Sequence, residues 1–501
     1  MTNLPIEPSL EALEKYKTEN TDDVNFYPVY KFIPAGDIGA YEVYLKLAQL
    51  NKGDRQMSFL LESVRSIEKV DQFLFIGVGP REVIKIENDG GNPLQALEKA
   101  LEGIKMAENV PGLPNFCGGA VGYISYDCVK YFEPRTARKQ RDPLGLPEAI
   151  QMLFDTIVAY DHVYQRIQII THIDLRKNKD LASGYQAAAK TLSRVADLIQ
   201  NSHVDQPIQP PIQLGHVMES NIGEEGYKKH VATLKEHIQC GDIIQAVPSQ
   251  RIARKTSLHP FNIYRELRTV NPSPYMFYLD FIDFQVIGAS PELLCQVDKA
   301  QRVVCHPIAG TIKRGSSAKE DDMLSSVLSN SLKDRAEHIM LVDLARNDIN
   351  RVCDPSTTKV DKLLAVQRFS HVQHLVSEVS GTLRPDKTRF DAFSSLFPAG
   401  TVSGAPKVKA MELIAELENE KRGVYAGAVG YWSYDGKSTD TCIALRTMVY
   451  KDGVVYIQAG GGIVFDSDED DEYVETLNKM KANYNTIVQA EKTWAEKAGT
   501  L

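Results

Sequence analysis

The chain has 501 residues, a formal net charge of −9, 43% hydrophobic and 25% charged residues. This is a globular composition on a chain too long for one ordinary core, so two to four domains are expected. Without a concentrated basic patch the charge deficit argues against nucleic acid, and an anionic substrate would need local donors or a metal. The seven cysteines (Cys117, Cys128, Cys240, Cys295, Cys305, Cys353 and Cys442) are scattered, with no C-x-x-C pair. That argues against a disulfide framework or a zinc site and fits a reducing compartment. Met1 to Pro8 lacks an apolar signal core and no apolar run reaches membrane-spanning length, so a cytoplasmic location is expected.

Residues 1 to about 25 are polar and read as a frayed helix. Strands follow at Pro28–Pro34, Ser58–Ser63 and Phe73–Gly77, with a short helix at Ala40–Leu50. Gly119-Ala-Val-Gly-Tyr-Ile-Ser-Tyr-Asp127 recurs as Gly427-Ala-Val-Gly-Tyr-Trp-Ser-Tyr-Asp435, differing at one position in nine. One strand type used twice points to two related halves. Ile150–Ile173 alternates like a hairpin, and Gly184–Ile199 reads as a helix. The polar stretch from Asn201 to Gln213 carries three prolines and marks the main boundary. The expected organisation is an N-terminal domain over 25–200, a linker over 201–216 and a second domain over 217–490.

Beyond the linker, helices are expected at Gly223–Cys240, Leu258–Thr269 and Lys333–Ala345, and one opening at Ser403-Gly-Ala-Pro406. Strands are expected at Asp242–Ala253, Tyr275–Asp280, Gln285–Gly288, Gly427–Trp432, Cys442–Tyr450 and Val454–Gln458. Long helices among antiparallel-looking strands give an α+β fold.

Gln458-Ala-Gly-Gly-Gly-Ile463 strips side chains from a turn after a strand, where backbone N–H groups can approach an anion. The run Asp466–Glu472 then places six acids in seven residues at the start of an amphipathic helix with Tyr473, Leu477, Met480, Tyr484 and Ile487 at helical spacing. Ser467 is its expected cap. Glu472 and Glu475 share a face at i, i+3 and can ligate a hard cation. Glu337 falls on a stripe with Met340, Leu341 and Leu344, where a carboxylate needs an arginine (Arg346 or Arg351) or a metal. The second acid pair favours a shared Mg²⁺ site. Thr401 to Pro406 offers small residues at a helix N-terminus, either an anion site or a cap through Ser403. Arg446, in an otherwise apolar strand, needs an anionic partner, either a substrate carboxylate or a structural acid. His374 is a candidate acid or base, although a lone histidine is more often structural.

Pro307-Ile-Ala-Gly-Thr311, the Glu337–Asp348 segment, Gly400-Thr-Val-Ser-Gly-Ala-Pro-Lys407, the glycine turn and Glu475-Thr-Leu-Asn-Lys479 occur in the order seen in chorismate-utilising enzymes. Over about residues 220–485 the chain resembles that family, and most of all its fungal-type large subunits of anthranilate synthase. The resemblance implies an antiparallel β-sandwich of two related α/β halves with helices outside, and a Mg²⁺-dependent chorismate site between. It implies metal ligands at Glu337 and Glu475 with Glu472 close by, and chorismate contacts at Gly310, Thr311, Tyr425, Arg446, Gly460, Gly461 and Gly462. Thr401 would line the pocket, and Glu292 and His374 match the family's acid–base pair. Ammonia would add at C2 as the C4 hydroxyl leaves with help from Glu292, and pyruvate would then be eliminated with help from His374.

Isochorismate-type relatives have a lysine where this chain has Gln245, and aminodeoxychorismate synthases have one where it has Ala309. Both differences point to anthranilate as product. A tryptophan feedback site is implied at Glu62, Ser63, Pro274, Tyr275 and Met276 with Val429 and Tyr431; the family's inhibitor-site lysine has no aligned counterpart, Lys69 being out of register. No glutaminase nucleophile is recognisable, so ammonia from glutamine would require a separate amidotransferase subunit. The alternatives are an aminodeoxychorismate synthase and a catalytically silent chorismate or tryptophan sensor.

Overall fold

The computed structural model describes residues 5–20, 23–62, 73–368 and 372–499. Its strands form a 12-stranded and a 10-stranded sheet with antiparallel ladders, packed face to face. Alternation along each strand decides what lies between them. Phe277 and Leu279 point into the space between the sheets together with Phe59, Val121, Tyr123, Phe154, Val286 and Val429. Met276 and Tyr278, their neighbours in sequence, point outward under the helices Leu181–Asn201, Pro260–Val270 and Glu469–Lys497. The second sheet buries Ala120, Leu294, Val379 and Trp432 under Leu332–Asn350, Arg389–Leu396 and Lys407–Glu418. The expected α+β sandwich with helices outside is the observed architecture.

The repeated segments are neighbours. Gly119–Ile124 and Ala428–Ser433 pair antiparallel, with Gly122 opposite Gly430 and Val121 opposite Tyr431. Both sheets draw strands from either side of residues 201–216: Ser58–Glu62 pairs with Tyr275–Asp280 in one, and Gly119–Ile124 with Ala428–Ser433 in the other. The connecting stretch lies against the body, where the Asn51 side chain donates to the Gln206 carbonyl and accepts from the Ile208 amide.

Several local expectations are revised. The N-terminal segment holds a short strand, Ile6–Glu7, and a helix, Leu10–Glu19, capped by Ser9. Ile150–Ile173 is three strands, of which Ala149–Phe154 belongs to one sheet and Ile157–Asp161 and Arg166–Asp174 to the other. The helix expected from Ser403 starts at Lys407, because Gly404–Ala405 is spent on a short ladder with Gln245–Ala246. Ser403 therefore caps nothing; its hydroxyl donates to the Ala399 carbonyl. Asp468, not Ser467, caps the last helix, accepting from the amides of Asp470 and Asp471. Cys442–Tyr450 is not one strand. Thr439–Ile443 and Thr447–Lys451 lie in different sheets, and Arg446, at φ 48, makes the turn between them. Among the described residues no helix is long and apolar enough to cross a membrane.

Candidate active site

The site forms where two adjacent strand pairs pass from one sheet to the other. Phe284–Ser290 in the first sheet leads through Pro291 and Glu292 into Leu293–Val297 in the second, while Thr439–Ile443 returns through Arg446 to Thr447–Lys451. The two crossings are stitched together: the Ile443 amide donates to the Glu292 carbonyl (3.0 Å), the Ala289 amide to the Arg446 carbonyl (3.3 Å) and the Ser290 hydroxyl to the Ile443 carbonyl (2.6 Å). Backbone geometry thereby fixes a carboxyl and a guanidinium side by side.

Glu292 is buried, 5% exposed, and accepts a hydrogen bond from the Thr401 hydroxyl at 3.0 Å. Burial pushes its carboxyl up to about 8, although the Thr401 hydroxyl, the Ile308 amide and Arg446 oppose the shift. Arg446 makes no ion pair among the described residues, and burial lowers it, with Glu292 opposing. His374, on the strand Val372–Thr382, places Nδ1 3.0 Å from the Thr311 hydroxyl and 3.1 Å from the Gly310 carbonyl. Because a carbonyl only accepts, the proton is assigned to Nδ1, which leaves Nε2 as the basic nitrogen. Burial and then Arg446 hold the ring down to about 4, so it is neutral at physiological pH. Gly310 sits at φ +67, and a Cβ there would stand 3.0 Å from Asp334 Oδ1.

The glycine turn closes the other side. A Cβ at Gly460 would lie 2.3 Å from the Pro248 carbonyl oxygen, one at Gly461 2.7 Å from Glu472 Oε2, and one at Gly462 2.3 Å from Gln245 Nε2. Close approach, not a left-handed backbone, requires these glycines. Their amides are partly engaged: Gly461 N–H donates to the Tyr227 hydroxyl (3.0 Å), and Gly460 N–H faces the Tyr425 hydroxyl. Tyr425 is buried, and burial pushes its phenol up to about 12.

The acids come together from two helices. Glu337 is half-buried, and among the described residues it accepts only a long hydrogen bond, from Gln245 Nε2 (3.4 Å). Burial raises its pKa, with Lys479 opposing and Glu475 adding to the shift. The alternative of a salt bridge to Arg346 is not realised, since Arg346 pairs with Asp343. Glu472 is buried; Oε1 accepts from Ser467, and Oε2 has no hydrogen-bond partner among the described residues. Its pKa too is raised by burial. Glu475 is exposed and paired with Lys479 at 2.8 Å, whose ammonium also donates to the Gly460 carbonyl. Among the described residues no three acidic, histidine or cysteine side chains already stand in metal-binding array. The donor set still fits a hard divalent cation, being all oxygen and including one buried carboxylate oxygen without a partner.

Between the sheets lies a second cavity, of about 380 Å³, lined by Glu62, Tyr275, Met276, Val429 and Tyr431. Pro274 is outside its wall, and Ser63 lies outside the described residues. Glu62 is bound by Arg268 in a bidentate pair (2.6 and 2.7 Å) and by the Tyr264 hydroxyl. Sequence reasoning missed Arg268, and Asp440, which accepts from Tyr275 and Gln296 on the same wall. It also missed Tyr227 and Lys479. Only Lys479 carried a readable signal, its i+4 spacing from Glu475.

A buried carboxyl, a neutral imidazole and a guanidinium converging between two sheets, beside a carboxylate cluster, define a small-molecule enzyme of acid–base chemistry. The chain matches the chorismate binding enzyme family over residues 57–485. It is 62% identical to anthranilate synthase component 1 of Saccharomyces cerevisiae, covering 99% of each chain. It is 55% identical to a probable anthranilate synthase component 1 of Schizosaccharomyces pombe, over 97% of this chain and 96% of that one. The crystal structure of anthranilate synthase component I from Streptococcus pneumoniae superposes with a TM-score of 0.73 at 35% identity, covering 90% of this chain and 98% of that one. A menaquinone-specific isochorismate synthase from Escherichia coli shares the fold, with a TM-score of 0.67 at 18% identity over 96% of this chain and 98% of that one. The chain belongs to the chorismate binding enzymes, in the anthranilate synthase component 1 family.

Proposed function

We propose that the chain converts chorismate and ammonia to anthranilate and pyruvate, the first step committed to tryptophan. The observation that carries the choice of nucleophile is Gln245. Its amide donates to Glu337, a neutral contact that cannot activate water as a lysine at that place would. Ala309 likewise supplies no amine of its own, which leaves ammonia from outside.

In this reading Arg446 and the glycine turn hold the substrate's carboxylates. Glu292 is protonated below pH 8 and delivers its proton to the leaving C4 hydroxyl, held in place by Thr401. His374, neutral and oriented through Nδ1, takes the ring proton in the elimination that forms the aromatic ring. Glu337 and Glu475, with Glu472 beside them, would hold Mg²⁺, which when bound supplies positive charge to the ring carboxylate. Lys479 pairs with Glu475 at the edge of this cluster.

The relatives are called component 1, and this chain is read as the partner of a glutamine amidotransferase subunit that would supply ammonia. The 380 Å³ cavity is read as a tryptophan feedback site, with Glu62 in its wall and held there by Arg268. A cytoplasmic location is supported by seven free cysteines, six of them buried.

The test is incubation of the purified chain with chorismate, Mg²⁺ and an ammonium salt. Anthranilate fluorescence is expected, and its absence with and without an amidotransferase subunit would overturn the reading.

A further inference from the structure

Behind the candidate site a buried ion pair joins the segments that carry its two ends. Glu418 is the last residue of the helix Lys407–Glu418, and Arg422 follows it by four; they are 8% and 2% exposed. Arg422 Nε and Nη2 donate to the two carboxylate oxygens of Glu418 at 2.9 and 2.7 Å. The same guanidinium reaches two backbone carbonyls, Val402 through Nη1 (2.8 Å) and Val247 through Nη2 (2.6 Å). Val402 follows Thr401, the donor to Glu292. Val247 leads to Ser249, whose amide and hydroxyl both donate to Glu418 (2.7 and 2.9 Å) and which stands opposite Gly460 of the glycine turn. The guanidinium also lies over the ring of Tyr425, 5.6 Å from its centre, and over that of Tyr126 at 4.4 Å. The Arg422 amide donates to buried Asp127 at 3.2 Å, which fixes where the side chain starts.

We propose that Arg422, locked by Glu418, is a positioning residue that sets the span between the two halves of the site: Glu292 with Thr401 on one side, Tyr425 with the glycine turn on the other. It rests on the reading that the site takes chorismate. The guanidinium's hydrogen bonds go to Glu418, Val402 and Val247, so it acts through them and not on the substrate. An arginine suits this place because its planar fork sends donors in several fixed directions, whereas a lysine would keep the charge but present its donors from one point. The short ladder between Gln245–Ala246 and Gly404–Ala405 already brings two of the joined segments together. The guanidinium adds the Tyr425 segment and fixes the spacing of all three. Burying two charges adds little net stability, so the value of the pair lies in the geometry it enforces. The substrate ring is rigid, and an error in the span cannot be taken up by the ligand. A misplacement of about 1 Å costs on the order of a hundredfold in rate.

Arg422→Lys tests the span with the charge kept, and Glu418→Gln tests it with Arg422 intact should the first variant not fold. Anthranilate formation is followed with ammonium chloride and Mg²⁺, varying chorismate across the alkaline limb of kcat/KM, with Tm recorded for each variant. The expected result for Arg422→Lys is a kcat lower by about one to two orders of magnitude. The alkaline limb should also move upward, because a displaced Thr401 no longer favours the Glu292 carboxylate. In the double variant Arg422→Lys/Thr401→Val the limb should stand where Thr401→Val alone puts it. Glu418→Gln should move it the same way by less. A limb at the wild-type position in a folded variant would overturn the proposal, as would a double variant displaced by the sum of the two singles. So would a loss of Tm with kcat unchanged, or failure of both variants to fold, since each describes a pair that serves stability alone. A wild-type chain that makes no anthranilate would refute the proposed function itself; normal wild-type turnover with an unmoved limb in the variants would refute the positioning role alone.

Discussion

Glu292 and Arg446 occupy neighbouring crossings between the two sheets, each carbonyl accepting an amide from the strand segment of the other: Ile443 to Glu292 and Ala289 to Arg446. The acid and the cation are thus placed by ladder geometry, not by a salt bridge between their side chains. That separation keeps Glu292 able to hold a proton and Arg446 able to take an anion from outside.

The first consequence is a pH profile. Glu292 acts as an acid, so kcat/KM should fall as pH rises through about 8. Thr401→Val removes a hydrogen bond that favours the carboxylate and should move that alkaline limb upward; a limb that stays in place would separate it from Glu292. Stability has the corresponding sign. The folded pKa is raised above the ordinary carboxyl value of 4.5, so the folded state keeps a proton that the unfolded chain loses, and stability falls between about 4.5 and 8. Glu292→Gln should therefore be inactive yet more stable than the wild type at pH 8, by a few kcal/mol on the scale of about 1.4 kcal/mol per unit. Urea unfolding at pH 5 and pH 8 measures it.

Arg446→Gln should separate binding from folding. Losing a charge-assisted contact to a carboxylate should lower kcat/KM by about 1.5–3 kcal/mol. Because the guanidinium makes no ion pair among the described residues, the Tm should hold or rise. A drop in Tm matching the loss of activity would mark Arg446 as structural.

The acid cluster makes a metal prediction. Glu337→Gln and Glu475→Gln should each abolish Mg²⁺-dependent turnover, and chelation should do the same to the wild type. Gly462→Ala should mimic them with every carboxylate kept, because its methyl would displace Gln245, which among the described residues is the hydrogen-bond donor on Glu337, and would pack 3.5 Å from Glu337 Oε1. Turnover surviving both glutamine variants would remove the assignment.

The cavity between the sheets predicts a clean dissociation of regulation from catalysis. Glu62→Gln and substitution of Ser63 should weaken inhibition by tryptophan and spare turnover without it. Inhibition curves that overlay the wild type would dismiss this cavity as the inhibitor site.

How far the sequence could be read depends on how local each feature is. The glycine turn, the acid-rich helix start and the repeated strand are local patterns, and the structure contains all three. Arg446 stood out as a charge among apolar residues, but its reason, a left-handed turn between two sheets, was hidden because alternation looks the same in either sheet. The Ser467 cap failed because Asp468 competes one residue later. Thr401 and Glu292 are 109 residues apart, and Gln245 and Glu337 are 92 apart. No periodicity encodes such pairings; they appear only when strands from both ends of the chain are interleaved.

That interleaving also has a mechanical side. The cavity wall includes Cys442, which pairs with Leu293 next to Glu292, and Tyr275, which pairs with Ser290 two residues before it. A body lodged in the cavity would be a wedge driven into the seam beside the crossings. Because the chain crosses from one sheet to the other at Pro291–Glu292 and again at Ala444–Arg446, spreading the seam would load those two crossings.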